Sequence, residues 1–142
     1  MMARALAVCR IVLGGLFIWA AVTKLPDMAA FAQDVANYRV IPAALVPIVA
    51  AAVVGIELLA GIALVIGVMD HPAAAVLAVL LAAFTALLAQ ALLRGIDLRC
   101  GCFGGDERAS WWTVVRDLVM LAAAVAVARG PSPAGTNVTN PA

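Results

Sequence analysis

The chain has 142 residues, room for one domain. Of these, 66% are hydrophobic and 12% charged, against about 45–50% and about 25% in soluble domains, and mean hydropathy is +1.12. That composition belongs in a bilayer, and a net charge of +1 without a basic, aromatic-interleaved stripe gives nucleic acid nothing to hold.

Crossing a hydrocarbon core of about 30 Å takes roughly 20 helical residues. Four apolar runs meet or approach that length, over residues 5–23, 44–69, 73–93 and 111–128. Alanine, leucine and glycine dominate them, and valine and isoleucine do not alternate, which argues against barrel strands. The predicted fold is an all-α membrane protein, a four-transmembrane-helix bundle over residues 1–129 with a disordered tail, 130–142. Gly14, Gly15, Gly55 and Gly61 are placed to let helix backbones approach closely. The first run carries Arg10 and continues into Lys24, so it reads as a retained helix rather than a cleaved signal peptide.

Between the first two runs, Phe31, Val35 and Tyr38 fall on one helical face, with Gln33, Asp34 and Asn37 assigned to the other. That pattern predicts a short amphipathic helix lying flat in the interface between helices 1 and 2. Four spans bring it out on the same side as the loop around residues 94–110, so it can cover that loop. Runs two and three are predicted to join through a tight turn at Asp70-His71-Pro72, with Pro72 opening the third helix. His71, the single histidine, reads as a polar turn residue. Ser110 is an N-cap for the fourth helix, and Trp111 and Trp112 mark the membrane–water boundary.

Arg10, Glu57 and Arg116 fall inside the apolar runs. A charge near the bilayer centre costs at least about 2.5–3.5 kcal/mol, so each needs a partner or a route to water. Glu57, near the middle of the second span, is predicted to pair with Arg10 or Arg116; the alternative is that it stays protonated. Such a group serves either as a buried polar clamp or as a proton relay.

The stretch Arg99-Cys100-Gly101-Cys102-Phe103-Gly104-Gly105 interrupts the grease. A disulfide needs Cα atoms about 4.4–6.8 Å apart, and Gly101 permits the tight turn that would bring Cys100 and Cys102 that close. Phe103 can anchor the loop, and Gly104 leaves the following backbone free. A ring this small is strained, and strained disulfides are the exchange-prone ones. Adjacent Arg99 and the start of the fourth helix favour a thiolate modestly. Structural zinc takes about four ligands and catalytic zinc three plus water, whereas the loop offers two thiolates, with Cys9 and His71 at the opposite membrane face. A metal would therefore need ligands from a partner. Redox exchange also competes with an inert structural disulfide and with palmitoylation of a cysteine close to the membrane. Cys9 reads as a small apolar helix residue. Electron relay to quinone within one chain would use two cysteine pairs, so with one pair an exchanging chain needs a separate thioredoxin-like partner or client.

The pieces RIVLGGLFIWAAVTKL, FAQDVANYRVIP and GIELLAGIALVIG, with LLRGIDLRCGCFGG leading into SWWTVVRDL, resemble the MauE branch of the DoxX-like family of small four-span, redox-associated membrane proteins, over residues 4–129. The resemblance implies that Arg10, Lys24 and Glu57 are the family's polar positions, and that Cys100 and Cys102 form the motif setting this branch apart. It further implies a part in maturing a disulfide-rich periplasmic dehydrogenase subunit beside a thioredoxin-like companion. A cysteine motif just before helix four is also similar to vitamin K epoxide reductases, whose second cysteine pair and quinone pocket are missing here.

Two functions are expected. The first is a membrane thiol–disulfide component passing electrons between Cys100/Cys102 and a thioredoxin-like partner or client. The alternative is a non-catalytic accessory subunit or assembly factor of a membrane complex, whose cysteines only brace the loop. No resident cofactor is predicted, with a quinone or a partner-completed metal site as alternatives, and the partners are the lipid bilayer and that second protein. Lys24, Arg39, Arg94, Arg99 and Arg108 on the loop face, against Arg4 and Arg129, would put the cysteines in the cytoplasm by the positive-inside rule. Disulfide chemistry and the resemblance favour the outer face of a bacterial cell membrane, which is the orientation expected here.

Overall fold

The structure, a computed structural model, describes residues 2–96 and 108–130. Among these described residues, five α-helices run in the order α1 Met2–Lys24, α2 Met28–Asn37, α3 Val46–Ile66, α4 Asp70–Leu93 and α5 Trp111–Arg129. α1, α3, α4 and α5 have 23, 21, 24 and 19 residues, about 28–36 Å at about 1.5 Å each. The helical chain is long and apolar enough to cross a membrane four times. This is the expected all-α, four-span bundle.

Between lipid-immersed helices, packing rather than water exclusion supplies the attraction, so small residues set the seams. Large apolar side chains such as Val12, Leu59, Val79 and Val119 point outward. The widest seams run between α1 and α3 and between α4 and α5. On the first, Gly14 and Gly61 meet backbone to backbone: a Cβ on Gly14 would lie 2.7 Å from the Gly61 carbonyl oxygen, and one on Gly61 would lie 2.9 Å from that of Gly14. Gly15 and Gly55, expected to share this role, face open space, because they fall on the lipid side of their helices.

The turn between α3 and α4 comes earlier in the chain than Asp70-His71-Pro72. Gly67 (φ 79°) ends α3, its N–H donating to the Ala63 carbonyl at 3.0 Å, and Met69 (φ 52°) redirects the chain. The three residues expected as the turn form the first turn of α4 instead. A helix's first N–H groups have no intrahelical acceptor, so Pro72 forfeits no bond there. His71 Nε2 lies 2.6 Å from the Gly130 carbonyl oxygen, tying the start of α4 to the end of α5.

A 3₁₀ turn at Leu25–Asp27 leads into α2, which Asp27 caps by accepting from the Ala30 N–H at 2.9 Å. Phe31, Val35 and Tyr38 are buried, but so is Asp34, which was expected on the polar face. Its position three residues after Phe31 puts it on the inward stripe, since residues i and i+3 share a helix face. Exposed Gln33 donates instead to Asn37 at 3.1 Å. Tyr38 packs with Leu88, Ala91 and Val114, beside Ile96 and Ala109. α2 itself packs mainly on α3, and Tyr38, just past its end, reaches the end of the bundle where α4 stops and α5 begins. α5 starts at Ser110, whose hydroxyl accepts from the Thr113 N–H at 3.4 Å, as expected of its N-cap.

Candidate functional site

Glu57 projects from α3 into the bundle, and both its carboxylate oxygens accept from Lys24 Nζ at 2.8 Å. The two side chains are 5% and 1% exposed. The partner is neither arginine expected for Glu57. Arg10 Nη1 lies 3.5 Å from Asp70 Oδ2, and Arg116 Nη2 lies 3.4 Å from Asp117 Oδ1.

Helix register explains the change of partner. α1 and α3 run antiparallel with Gly14 beside Gly61, while the Arg10 guanidinium packs against Gly67. Ten residues of α3 separate that level from Glu57, about 15 Å at about 1.5 Å each, beyond the reach of an arginine. Arg10 instead sits by the C-terminus of α3, where a cation is favoured by the helix dipole. Lys24 lies opposite roughly residue 51 by the same register, about 9 Å from the level of Glu57. Its four-carbon stem and the glutamate side chain together span that. Arg116 is ruled out by rotation: consecutive helical residues point about 100° apart, so burying Asp117 turns Arg116 toward the flank of α5.

Lys24 also serves a second helix, its ammonium standing 4.9 Å from the centre of the Phe31 ring in α2, a cation–π contact. One basic residue thus joins α1, α2 and α3. The pair borders a cavity of about 30 Å³ inside the bundle, with Phe17, Phe84, Met120 and a third ionisable side chain, Asp117, on its walls. Asp117 is 2% exposed. The sequence reading of the charges inside the spans stopped at Arg10, Glu57 and Arg116 and passed over Asp117. The signal was periodicity: Thr113, Asp117, Ala124 and Val127 keep the 4- and 3-residue spacing of a buried face.

Comparison with known proteins gives the family. The family model described as methylamine utilisation protein MauE matches residues 2–129. This chain belongs to the MauE family. It is 40% identical over 124 residues to the methylamine utilization protein MauE of Paracoccus denitrificans, an alignment covering 85% of this chain and 67% of that protein. No solved structure matches the chain.

In this MauE-family chain, Lys24, Glu57 and Asp117 converge on one cavity. Arg10 is held apart with Asp70 and His71, and Arg116 stands beside the cavity on α5. Cys9 is the free cysteine among the described residues; its Sγ lies 4.0 Å from the Ala123 carbonyl oxygen, and it packs against the apolar core. The predicted loop site, Arg99, Cys100, Gly101, Cys102, Phe103 and Gly104, lies outside the described residues. The chain positions of its flanks are plain: α4 ends at Leu93 and α5 begins at Trp111.

Proposed function

We propose that the chain is a membrane thiol–disulfide component that exchanges with a thioredoxin-like partner through Cys100 and Cys102 and so supports maturation of another protein. The observation that carries this reading is where the Cys-Gly-Cys sequence enters the fold. It lies in the segment that joins α4 to α5, and Ile96 and Ala109, on either side of that segment, pack against a buried cluster that joins Tyr38, the residue after α2, to Leu88, Ala91 and Val114. Membership of the MauE family supports an accessory role, and the name of the Paracoccus denitrificans relative supports a client used in methylamine utilisation.

In the exchange, a thiolate of the pair attacks the partner's disulfide, forming a mixed disulfide as one partner sulfur leaves as thiolate. The second cysteine attacks that bond, closing Cys100–Cys102 and releasing the partner as a dithiol, so two electrons pass to the partner. The reverse sequence delivers them to this chain.

Orientation belongs to the same reading. Lys24 is buried and neutralised by Glu57, so it drops out of the loop-face charge count, leaving Arg39, Arg94, Arg99 and Arg108 against Arg4 and Arg129. The positive-inside argument for a cytoplasmic loop weakens accordingly, and an outward-facing cysteine loop in an oxidising compartment is the orientation that fits exchange.

Cys102→Ser removes the resolving thiol. If Cys100 is the attacking residue, the variant accumulates a covalent adduct with a thioredoxin-like protein, visible on non-reducing gels and lost on reduction. An assembly defect in both cysteine variants with no adduct in either would replace exchange by a bracing role.

A further inference from the structure

We infer that the cavity bounded by Lys24, Glu57 and Asp117 is a hydrated proton-exchange centre, in which water bridges the Lys24–Glu57 pair to Asp117 and the two carboxylates take up and release a proton through it. The centre uses neither Cys100 nor Cys102, so it stands or falls separately from the thiol exchange.

Three ionisable side chains from three different helices line one cavity in the interior of a membrane bundle. All are more than nine-tenths buried. Ionisable residues at such depth are rare and mark pathways or relays more often than packing. The cavity, about 30 Å³, exceeds the roughly 10–15 Å³ that one water needs, and a buried water wants two to four polar partners. The ammonium of Lys24 carries three hydrogens, two of which go to Glu57. The carboxylates of Glu57 and Asp117 supply acceptors.

The charges facing this space can be counted helix by helix. α1 brings the Lys24 cation, α3 the Glu57 carboxylate and α5 the Asp117 carboxylate. α4 contributes Leu80, Leu81 and Phe84, without charge. α2 sets the Phe31 ring against the Lys24 ammonium, and neither Phe31 nor its buried Asp34 lines the cavity. Two carboxylates thus share the cavity with one ammonium, and Arg116 offsets the second from outside it. Adding one proton there leaves one carboxylate ionised beside the Lys24 ammonium and the other neutral, and water between the acids lets either carry the proton. The Arg116 side chain, paired with Asp117, is 23% exposed.

Infrared spectroscopy of the full chain in lipid nanodiscs tests this. The expected result is a carboxylic-acid C=O band that grows as pH falls and shifts in D₂O. Asp117→Asn and Glu57→Gln should each remove part of it and move the midpoint of the surviving acid by about one pH unit or more, the mark of coupled groups. Far-UV circular dichroism checks that each variant folds, and the D₂O shift of the unmodified chain needs no variant. A bundle whose buried acids show no deuterium-sensitive band, or whose two acids titrate without regard to each other, is not an exchange centre.

Discussion

Glu57→Gln is expected to destabilise the bundle by about 3–5 kcal/mol, the usual cost of leaving one member of a buried ion pair without its counter-charge. The glutamine offers Lys24 one carbonyl oxygen in place of two charged acceptors at 2.8 Å, and the ammonium, 1% exposed, cannot turn to water. Lys24→Met alone should cost a similar amount. The double variant Lys24→Met/Glu57→Leu should recover most of the loss, because replacing both charges by apolar groups of similar size is often neutral or better. Reversible unfolding from lipid–detergent micelles measures all three. Equal stability of the single variants and the parent would mean that the pair does not hold α1, α2 and α3 together.

Gly61→Val should be the next most damaging change, at about 1–3 kcal/mol or more from overpacking. A Cβ there would lie 2.9 Å from both the Gly14 carbonyl oxygen and Ile18 Cγ1, and 3.2 Å from the Ile18 backbone nitrogen. Backbone atoms cannot rotate away, so the α1–α3 seam must open. Opening it moves Lys24 relative to Glu57, and the pair should weaken together with the packing. Gly55→Ala, about one and two-thirds turns earlier on the same helix, meets nothing within 4 Å and should be neutral or mildly stabilising. The same unfolding titration compares the two. A tolerated Gly61→Val would contradict the close crossing of α1 and α3.

The spans, a short helix between the first two and the Ser110 cap were legible because each rests on a local rule: apolar length, helical spacing, or a hydroxyl before a helix. The pairing of Glu57 was not, because partner choice depends on the register between helices far apart in sequence. Span boundaries alone give depth along the membrane, and they cannot say that Gly14 sits beside Gly61. Once that crossing is known, Lys24 reaches Glu57 and Arg10 does not. Asp117 was legible in principle, since its spacing from Thr113, Ala124 and Val127 is that of an inward face, but that spacing shows only when α5 is read as a helix with one buried side. Asp34 shows the same weakness: a charged residue was assigned to the polar face by its chemistry, while its distance from Phe31 placed it inside.

The proposed function turns on whether the link between Cys100 and Cys102 opens and closes in working cells at an outward-facing loop. The direct measurement is labelling of intact cells with a membrane-impermeant maleimide, before and after mild reduction, with both cysteines read by peptide mass. Partial labelling of Cys100 and Cys102 before reduction and fuller labelling after it is the predicted result. Labelling that reduction leaves unchanged, whether complete or absent, would contradict it.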